Sequence, residues 1–275
     1  MKPDPNPAAT NRRIGRGYLV GHEVFQNTDK IQSMRSTVSG DALGAALLDA
    51  AAGDRGLHFI ERDDGLIEAM DASVYFSKQF HWPDTEARAI KGLSGRVLDV
   101  GAGAGRHSLV LQNRGCDVVA LDVSPGAVQV CQQRGVHHTF LGTVFDLLET
   151  GVEPFDALIL MGNNLALLQS PAKARGVFDA MRELLLPGGV IVGTLRDPYL
   201  TDDPDHLAYH ESNRAAGRPP GQVRLRFRHR RVATEWFNLL FLSPEELAEL
   251  AARSSWEIID VTRPDPMYLA MLRPV

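Results

Sequence analysis

One glycine-rich stretch, residues 96–110, constrains the fold of this 275-residue chain more than any other. Val97–Val100 is a short aliphatic run of strand character, and Arg106–Arg114 has the apolar spacing of a helix. Between them, glycine occupies every second position, at Gly101, Gly103 and Gly105. A strand that passes through a glycine turn into a helix offers backbone N–H groups and the positive helix end to a ligand. The stretch therefore predicts a ligand-binding βα unit.

The spacing of these glycines separates two classes of cofactor. A dinucleotide fold favours Gly-x-Gly-x-x-Gly, in which a pyrophosphate lies on the start of the helix. Here the sixth position of that pattern is Arg106, and Asp99 stands two places before the first glycine. A carboxylate and glycine carbonyls suit a ligand with a cationic amino group better than a pyrophosphate. The pattern resembles motif I of the class I S-adenosylmethionine-dependent methyltransferases, and an NAD-dependent oxidoreductase is the less favoured alternative.

Strands and helices alternate with short turns after this unit, which predicts an α/β fold with a doubly wound parallel sheet. Two further strands near the C-terminus bring the sheet to the seven strands that the resemblance implies. The predicted strands after the glycine motif are Asp117–Asp122, Val136–Leu141, Phe155–Met161, Val190–Leu195, Trp256–Val261 and Met267–Leu272, and the helices are Pro125–Gln133, Ala172–Leu186 and Pro244–Arg253.

Two segments depart from this alternation. Helical patterns at Asp41–Ala52 and Leu66–Phe80 predict an N-terminal helical cap. A long polar segment leads into Gln222–Arg231 and Glu235–Leu242, which we interpret as an inserted β-hairpin lid over the substrate. The predicted regions are an irregular arm (1–40), the helical cap (41–94), a Rossmann-like core (95–198 and 243–275) and the lid (199–242).

Composition and charge disfavour several functions. The chain has 34 acidic and 29 basic residues, a net charge of −5, which gives no general attraction to nucleic acid or to anionic membranes. No apolar run approaches the roughly 18–20 residues that span a bilayer, and the N-terminus lacks the apolar core of a signal peptide. Cys116 and Cys131 lack metal-ligand spacing and are expected to be buried thiols. We expect a cytoplasmic protein without a metal or a membrane partner.

Further features match the methyltransferase family in the same order along the chain. Asp122 ends the second strand, where a carboxylate accepts hydrogen bonds from ribose hydroxyls. Met161-Gly162-Asn163-Asn164 follows the fourth strand, where the resemblance places the methyl group opposite the acceptor. The turn Pro187-Gly188-Gly189 resembles the Leu-x-Pro-Gly-Gly turn of the family. Together these matches imply S-adenosyl-L-methionine as the cofactor.

Thr143 departs from the family, which usually carries an aspartate there for the adenine amino group. The Val144 backbone N–H or the Asp146 carboxylate is expected to take that role. The resemblance implies the following cofactor contacts: Tyr75, Asp99, Gly101, Ala102, Gly103, Gly105, Arg106, His107, Asp122, Val123, Ser124, Thr143, Val144, Phe145, Met161, Gly162 and Asn163.

The predicted acceptor is a small molecule, with a secondary metabolite as one option. Residues 161–164 lack the Asn/Asp-Pro-Pro-Tyr/Phe sequence of enzymes that methylate nucleobase or glutamine amines. The alternating arginines 224, 226, 228 and 230 are interpreted as a solvated hairpin face, with a phosphate-binding stripe or a contact with an acidic substrate as the alternatives. Core packing is the alternative for Phe76 and Trp82. The predicted acceptor-site residues are Phe76, His81, Trp82, Asn164, Arg196, Tyr199, Tyr209 and Trp236.

In-line methyl transfer needs a general base only when the acceptor carries a proton of high pKa. His210, four residues after His206, is the candidate base, and a solvated polar helix is the alternative. His107 is assigned to helix packing or cofactor contact. A second hypothesis keeps the cofactor site without transfer, as a scaffold subunit whose N-terminal helices contact a partner or a second copy. The methylated atom, whether O, N, C or S, stays open.

Overall fold

The computed structural model describes residues 38–263 and 266–275. The predicted arm therefore lies outside the described residues, apart from its last three positions. The strands are β1 (Val38–Ser39), β2 (His58–Arg62), β3 (Ile67–Met70), β4 (Arg96–Val100), β5 (Asp117–Asp122), β6 (His138–Leu141), β7 (Phe155–Leu160), β8 (Leu185–Arg196), β9 (Gln222–His229), β10 (Val232–Ala233), β11 (Phe237–Leu240), β12 (Trp256–Thr262) and β13 (Met267–Pro274).

The α-helices connect these strands, mostly in alternation. Short 3₁₀ turns occur at Ala72–Phe76, Gln79–His81 and Asn164–Leu168. The helices are α1 (Ala42–Ala51), α2 (Asp84–Lys91), α3 (Arg106–Gln112), α4 (Pro125–Gln133), α5 (Val144–Glu149), α6 (Pro171–Glu183), α7 (Pro204–Ala215) and α8 (Pro244–Ala252).

Seven strands form a central sheet in the order β12-β13-β8-β7-β4-β5-β6. The strands from β8 to β6 run parallel, whereas β13 pairs antiparallel with β8 and β12. Leu98 of β4 lies opposite Leu158 of β7 and Val119 of β5, so these strands end at a common edge. All three of these side chains are buried, as expected for strands covered on both faces. The prediction of a seven-stranded α/β fold is confirmed.

A second, smaller sheet has the order β1-β10-β9-β2-β3, with β11 following β10 along the same edge of β9. We call it the small sheet. It joins two segments that are far apart in the chain, because β2 pairs antiparallel with β9 and places Ile60 opposite Phe227. The predicted hairpin thus becomes part of a larger sheet.

The predicted helix Leu66–Phe80 is wrong. Its first part is β3, which pairs with β2 across a turn at Gly65, where φ is +99°. Its second part forms the 3₁₀ turns Ala72–Phe76 and Gln79–His81. The region 41–94 is therefore a mixture of helices and strands, because pairing with β2 overrides the helical spacing of the apolar residues.

The small sheet has two distinct faces, since residues paired across strands share a face. His229 donates from Nε2 to the Asp49 carboxylate of α1 at 2.8 Å, and β11 lies beside the 3₁₀ turn Asn164–Leu168. We call this side, which also carries His58, Ile60, Phe227 and Phe237, the inner face. The outer face carries Glu61, Arg224, Arg226 and Arg228.

Both cysteines, Cys116 and Cys131, are buried free thiols, as predicted. Burial raises the pKa of both thiols. No helix within the described part of the chain has the length and apolar character needed to cross a membrane.

Candidate cofactor and acceptor site

The glycine loop between β4 and α3 has a backbone that only glycine adopts readily. Gly101, Gly103 and Gly105 have φ values of +73°, +56° and +72°. A Cβ atom on Gly101 would lie 2.4 Å from Asn164 Nδ2. That amide nitrogen donates to the carbonyl oxygens of Val100 at 2.8 Å and Gly101 at 2.9 Å. Asn164 therefore braces the loop with its amide nitrogen, and a contact of its amide oxygen with the acceptor stays a prediction.

Asp122, at the end of β5, is tied to the same loop. Its Oδ2 accepts the Gly103 N–H at 2.8 Å and its Oδ1 accepts the Ser124 N–H at 2.9 Å. Burial raises the pKa of Asp122, although these two hydrogen bonds oppose the shift, and the charges of Asp41 and Asp99 add to it. Each carboxylate oxygen has a second lone pair that can accept a ligand hydroxyl. The arrangement suits the predicted ribose contact.

The side chain of Ser124 is used to join two helices. Its hydroxyl donates to Asp41 at 2.8 Å and accepts the Ala127 N–H at 3.0 Å, which caps α4. Asp41 also accepts the N–H groups of Gly44 and Gly126, each at 2.8 Å. Asp41 is thus the N-cap of α1. Ser124 bonds Asp122 through its backbone N–H only.

Three apolar side chains are exposed near the ends of β5 and β6. Val123 is 66% exposed, Leu141 51% and Phe145 44%. Large apolar side chains exposed together mark a surface that a flat apolar ring would cover with a gain in free energy. Their position beside Asp122 is where an adenine would lie if its ribose bonded that carboxylate.

The side chain of Thr143 has a hydrogen-bond partner within the chain. Its hydroxyl donates to Asp146 Oδ2 at 2.7 Å and accepts the Asp146 N–H at 3.2 Å, so the two form a capping box for α5. Hydrogen bonds from the Thr143 side chain and backbone lower the pKa of Asp146. The side chains of Thr143 and Asp146 therefore stabilise a helix start, and the contacts of Thr143 and of Val144 or Asp146 with the cofactor stay predictions.

A buried carboxylate that the sequence analysis missed supports the start of α3. Glu86 Oε1 accepts from Arg106 Nη2 at 2.8 Å and contacts His107 Nε2. The Trp82 ring packs against His107 at a tilt of 58° with ring centroids 4.6 Å apart, and its indole N–H donates to the Ser77 carbonyl. Trp82 and His107 therefore brace the motif helix, which corrects the acceptor role of Trp82. The four-residue spacing of Glu86 and Ile90, both buried, was the signal for Glu86.

Two more predicted cofactor residues lie against the glycine loop. Asp99 is 1% exposed and accepts the Ser108 hydroxyl at 2.6 Å, and burial raises its pKa. Tyr75 would contact a Cβ atom on Gly103 at 3.4 Å, so its ring packs over the loop. Burial, with the charge of Asp122, raises the pKa of Tyr75 to about 12, which keeps the phenol protonated.

Residues 161–163 form the opposite side of the edge, after β7. Met161 is buried, whereas Gly162 is exposed with φ of +68°. Asn163 has φ of +74°, and its N–H donates to the Thr194 hydroxyl at 3.2 Å. Its Oδ1 is buried and has no hydrogen-bond partner among the described residues.

Three predicted acceptor residues are placed elsewhere. Phe76 packs against α1 and α4, and the Arg134 guanidinium carbon lies 4.9 Å from the centroid of its ring. His81 is exposed and stacks on Phe80 at 4.0 Å. Trp236 stacks with Arg226 at 4.7 Å, on the outer face. These positions correct the three assignments. The inner-face aromatics are instead Phe227 and Phe237, with ring centroids 5.5 Å apart.

The remaining predicted site residues lie on or near α7 and at the end of β8. The Tyr209 hydroxyl donates to Asp63 at 2.7 Å, and the Arg62 guanidinium lies 4.3 Å from its ring centroid. Arg196 is exposed at the end of β8. His210 is 7% exposed, and its ring centroid lies 6.3 Å from that of Tyr199. Burial lowers the pKa of His210, and Arg214, His206 and Arg62 lower it further.

In comparison with known proteins, the part of the chain that forms this edge of the central sheet is similar to methyltransferases. Residues 97–189 match a family model described as a methyltransferase domain. A ubiquinone biosynthesis O-methyltransferase of Xylella fastidiosa is 35% identical over 103 residues, 35% of this chain and 40% of the relative. A malonyl-[acyl-carrier protein] O-methyltransferase of Salmonella typhimurium is 34% identical over 98 residues, 36% of this chain and 38% of the relative. The chain thus spans about two fifths of the curated relatives it matches.

A solved structure extends the likeness beyond that domain. A methyltransferase from Bacteroides fragilis, in complex with S-adenosyl-L-homocysteine, has a TM-score of 0.74 and 26% identity. The match covers 87% of this chain and 99% of the other. Residues 97–189 thus match a methyltransferase domain, and the chain has the fold of the class I S-adenosylmethionine-dependent methyltransferases. CcbJ of Streptomyces caelestis, 17% identical with a TM-score of 0.52, shares the fold over 75% of this chain and all of CcbJ.

The cofactor of this methyltransferase family is S-adenosyl-L-methionine, and the edge described above fits it. The glycine loop leaves room where side chains would otherwise stand, Asp122 offers lone pairs for ribose hydroxyls, and Val123 and Phe145 offer apolar surface for adenine. These residues would hold the cofactor, which supplies an electrophilic methyl group when bound.

Proposed function

We propose that this methyltransferase moves the methyl group of S-adenosyl-L-methionine to a small-molecule acceptor held between the glycine loop and the inner face of the small sheet. The observation that carries the proposal is the near-complete match to the Bacteroides fragilis enzyme, whose coverage includes more than the cofactor-binding domain. The O-methyltransferase relatives favour an oxygen acceptor.

The chain's main task in such a reaction is to orient two molecules and to exclude water. Asp122 and the backbone of the glycine loop hold the cofactor at the edge of the central sheet. Tyr75 packs over Gly103, so its aromatic ring lies on the side from which the acceptor would enter. Phe227 and Phe237 supply apolar surface from the small sheet. Transfer then needs no covalent intermediate with the protein.

An acceptor with a hydroxyl proton also needs a group that takes that proton. Two buried histidines have lowered pKa values and are neutral near pH 7, His210 on α7 and His58 on β2. His210 is the candidate that the sequence suggested.

Calorimetric titration with S-adenosylmethionine, S-adenosylhomocysteine and NAD tests the cofactor part of this proposal. We expect both sulfur compounds to bind at micromolar concentration and NAD not to bind. Transfer of a labelled methyl group to a panel of small phenols, amines and thiols tests the reaction. Preferential binding of NAD would contradict the proposal, and cofactor binding without transfer to any of the panel would favour a scaffold role.

A further inference from the structure

His58 is a fully buried histidine whose ring has one satisfied and one unsatisfied nitrogen. Its side chain lies on the inner face of the small sheet, and its residue exposure is 0%. Nδ1 lies 3.3 Å from the Gly56 carbonyl oxygen. Because a carbonyl only accepts, Nδ1 carries the hydrogen, and Nε2 of the neutral ring is left as an acceptor. Nε2 is buried without a hydrogen-bond partner among the described residues.

An unsatisfied buried nitrogen of this kind is uncommon and destabilises the folded chain. A phenylalanine at this position would avoid the cost, since the neighbouring rings are those of Tyr75 and Phe227, each with its centroid 6.0 Å from that of His58. A phenylalanine would lose the Nδ1 hydrogen bond to the Gly56 carbonyl, but that bond gives no reason for the second, unsatisfied nitrogen.

The neighbours of His58 place it between the two parts of the site. Tyr75 packs over Gly103 of the glycine loop, and Phe227 contacts Phe237 on the small sheet. His58 thus lies on the face of the small sheet that is linked through Tyr75 to the glycine loop, where the proposed acceptor would meet the methyl group. Since no solvent reaches His58, an acceptor contacts it only after Tyr75 or the small sheet shifts.

The charge state of the ring follows from its surroundings. Burial lowers the pKa of His58, the Gly56 carbonyl raises it, and the charges of His229 and Asp71 act in opposite directions, downward and upward. The net pKa is below the usual value of 6.5. Nε2 therefore has a free lone pair at neutral pH.

We propose that His58 is the general base of this enzyme, with Nε2 accepting the hydroxyl proton of a phenol bound between Tyr75 and Phe227. This inference rests on the proposed methyl transfer. The O–H bond breaks as its proton passes to Nε2, and an oxygen lone pair forms the bond to the methyl carbon. The carbon–sulfur bond breaks with its electron pair going to sulfur. The positive charge thus moves from sulfur to the imidazole, which later releases the proton to water.

A phenol is the acceptor class that fits these groups. Its flat ring packs against Tyr75 and Phe227, and a phenol's proton is acidic enough for an imidazole to take as the oxygen begins to bond. His210 is placed less favourably, because its aromatic neighbour Tyr199 bonds Glu246 of α8 and not the glycine loop.

The test is nuclear magnetic resonance of the full chain with ¹⁵N-labelled histidine side chains. Without any ligand, we expect the ring of His58 to carry its hydrogen on Nδ1 at pH 7. With S-adenosylhomocysteine present, added phenol should shift the Nε2 resonance of His58, and a His210→Phe variant should keep this shift. A hydrogen on Nε2, or a phenol effect on His210 with none on His58, would overturn the proposal.

Kinetics with phenol as acceptor give a second readout. His58→Phe should lower kcat about 100-fold or more while S-adenosylhomocysteine affinity stays within about twofold of wild type. The rate of the unaltered enzyme should rise with pH through the pKa of His58, and the variant should lose this dependence. Unchanged kcat and pH profile would exclude His58 as the base. Failure of S-adenosylhomocysteine to bind the unaltered chain would instead contradict the proposed function, so the two failures are distinguishable.

Discussion

The cofactor edge of the central sheet and the small sheet hold their polar side chains in different ways. At the cofactor edge, Asp122 and Asn164 bond backbone N–H and carbonyl groups of the glycine loop. On the small sheet, Glu61 bonds Arg226 at 2.8 Å and Arg228 at 3.0 Å, and His229 bonds Asp49. The backbone groups at the cofactor edge carry no charge, and only the Asp122 side of these bonds titrates, whereas the ion pairs of the small sheet have charge on both sides and weaken with acid and salt. The comparison indicates a preformed cofactor edge and a small sheet that responds to conditions.

Replacement of Asp122 by alanine should have the largest effect on ligand binding. The change removes the proposed ribose contact and leaves the Gly103 and Ser124 N–H groups without their partner. We expect S-adenosylhomocysteine affinity, measured by calorimetry, to fall about 10- to 100-fold. Asp179→Ala, at an exposed carboxylate of α6, is the control and should leave affinity unchanged. Equal affinities for all three proteins would place the ribose elsewhere.

Glu61→Gln should affect the small sheet and spare the cofactor edge. The variant loses the charge that faces two guanidinium groups, so the free energy of unfolding should fall by about 1–3 kcal/mol, as measured by urea denaturation. Cofactor affinity should change by less than about twofold. A large loss of affinity with little loss of stability would show that the two sheets are not separate in the way described.

Acid should destabilise the small sheet through two groups. Burial opposes the shift, but the hydrogen bonds and charges of Arg226 and Arg228 hold the pKa of Glu61 below its usual 4.5. The stability that Glu61 contributes is present above pH 4.5, and it is lost as the pH falls through the lower pKa that Glu61 has in the folded state. His58, with its pKa below 6.5, favours the unfolded chain as soon as the pH drops under 6.5, because the unfolded imidazole binds a proton first.

The His58 part of this dependence can be isolated by a variant. Below pH 6.5, protonation of His58 should lower the free energy of unfolding by at most about 1.4 kcal/mol per pH unit. His58→Phe should remove that slope. His210→Phe, at the other buried histidine with a lowered pKa, is the matched comparison. Identical pH curves for wild type and His58→Phe would contradict the assigned neutral state.

Thr143→Val should have the smallest effect of the four. The capping box with Asp146 would be lost, so the unfolding free energy should fall by about 1 kcal/mol in thermal or urea denaturation. S-adenosylhomocysteine affinity should stay within about twofold, since the hydroxyl serves α5. A tenfold loss of affinity would support the direct cofactor contact that the sequence suggested.

The same comparison explains how much the sequence revealed. Strand, glycine turn and helix signals follow one another within β4–α4, so Asp122 and the loop could be located from local pattern alone. The small sheet depends on pairing between β2 and β9, where Glu61 and Arg226 are 165 positions apart. No local signal carries such a pairing, and the apolar spacing of residues 67–75 favoured a helix instead.

Side-chain direction was the second limit. Asn164 and Trp82 lie close to the site in sequence, but their side chains brace the glycine loop and α3. Trp236 and Phe237 are adjacent, yet they lie on opposite faces of the small sheet, and the pairing of Phe237 with Leu225 decides which one faces inward. His58 carried no motif at all, and only its burial and unsatisfied nitrogen mark it.

The most direct test of the central claim is a crystal structure of the chain with S-adenosylhomocysteine. The account predicts ribose hydroxyls within hydrogen-bond distance of Asp122, adenine against Val123 and Phe145, and the sulfur turned toward Tyr75 and the inner face of the small sheet. A ligand bound away from Asp122, or a sulfur turned from the small sheet, would contradict the claim that methyl transfer takes place between the two sheets.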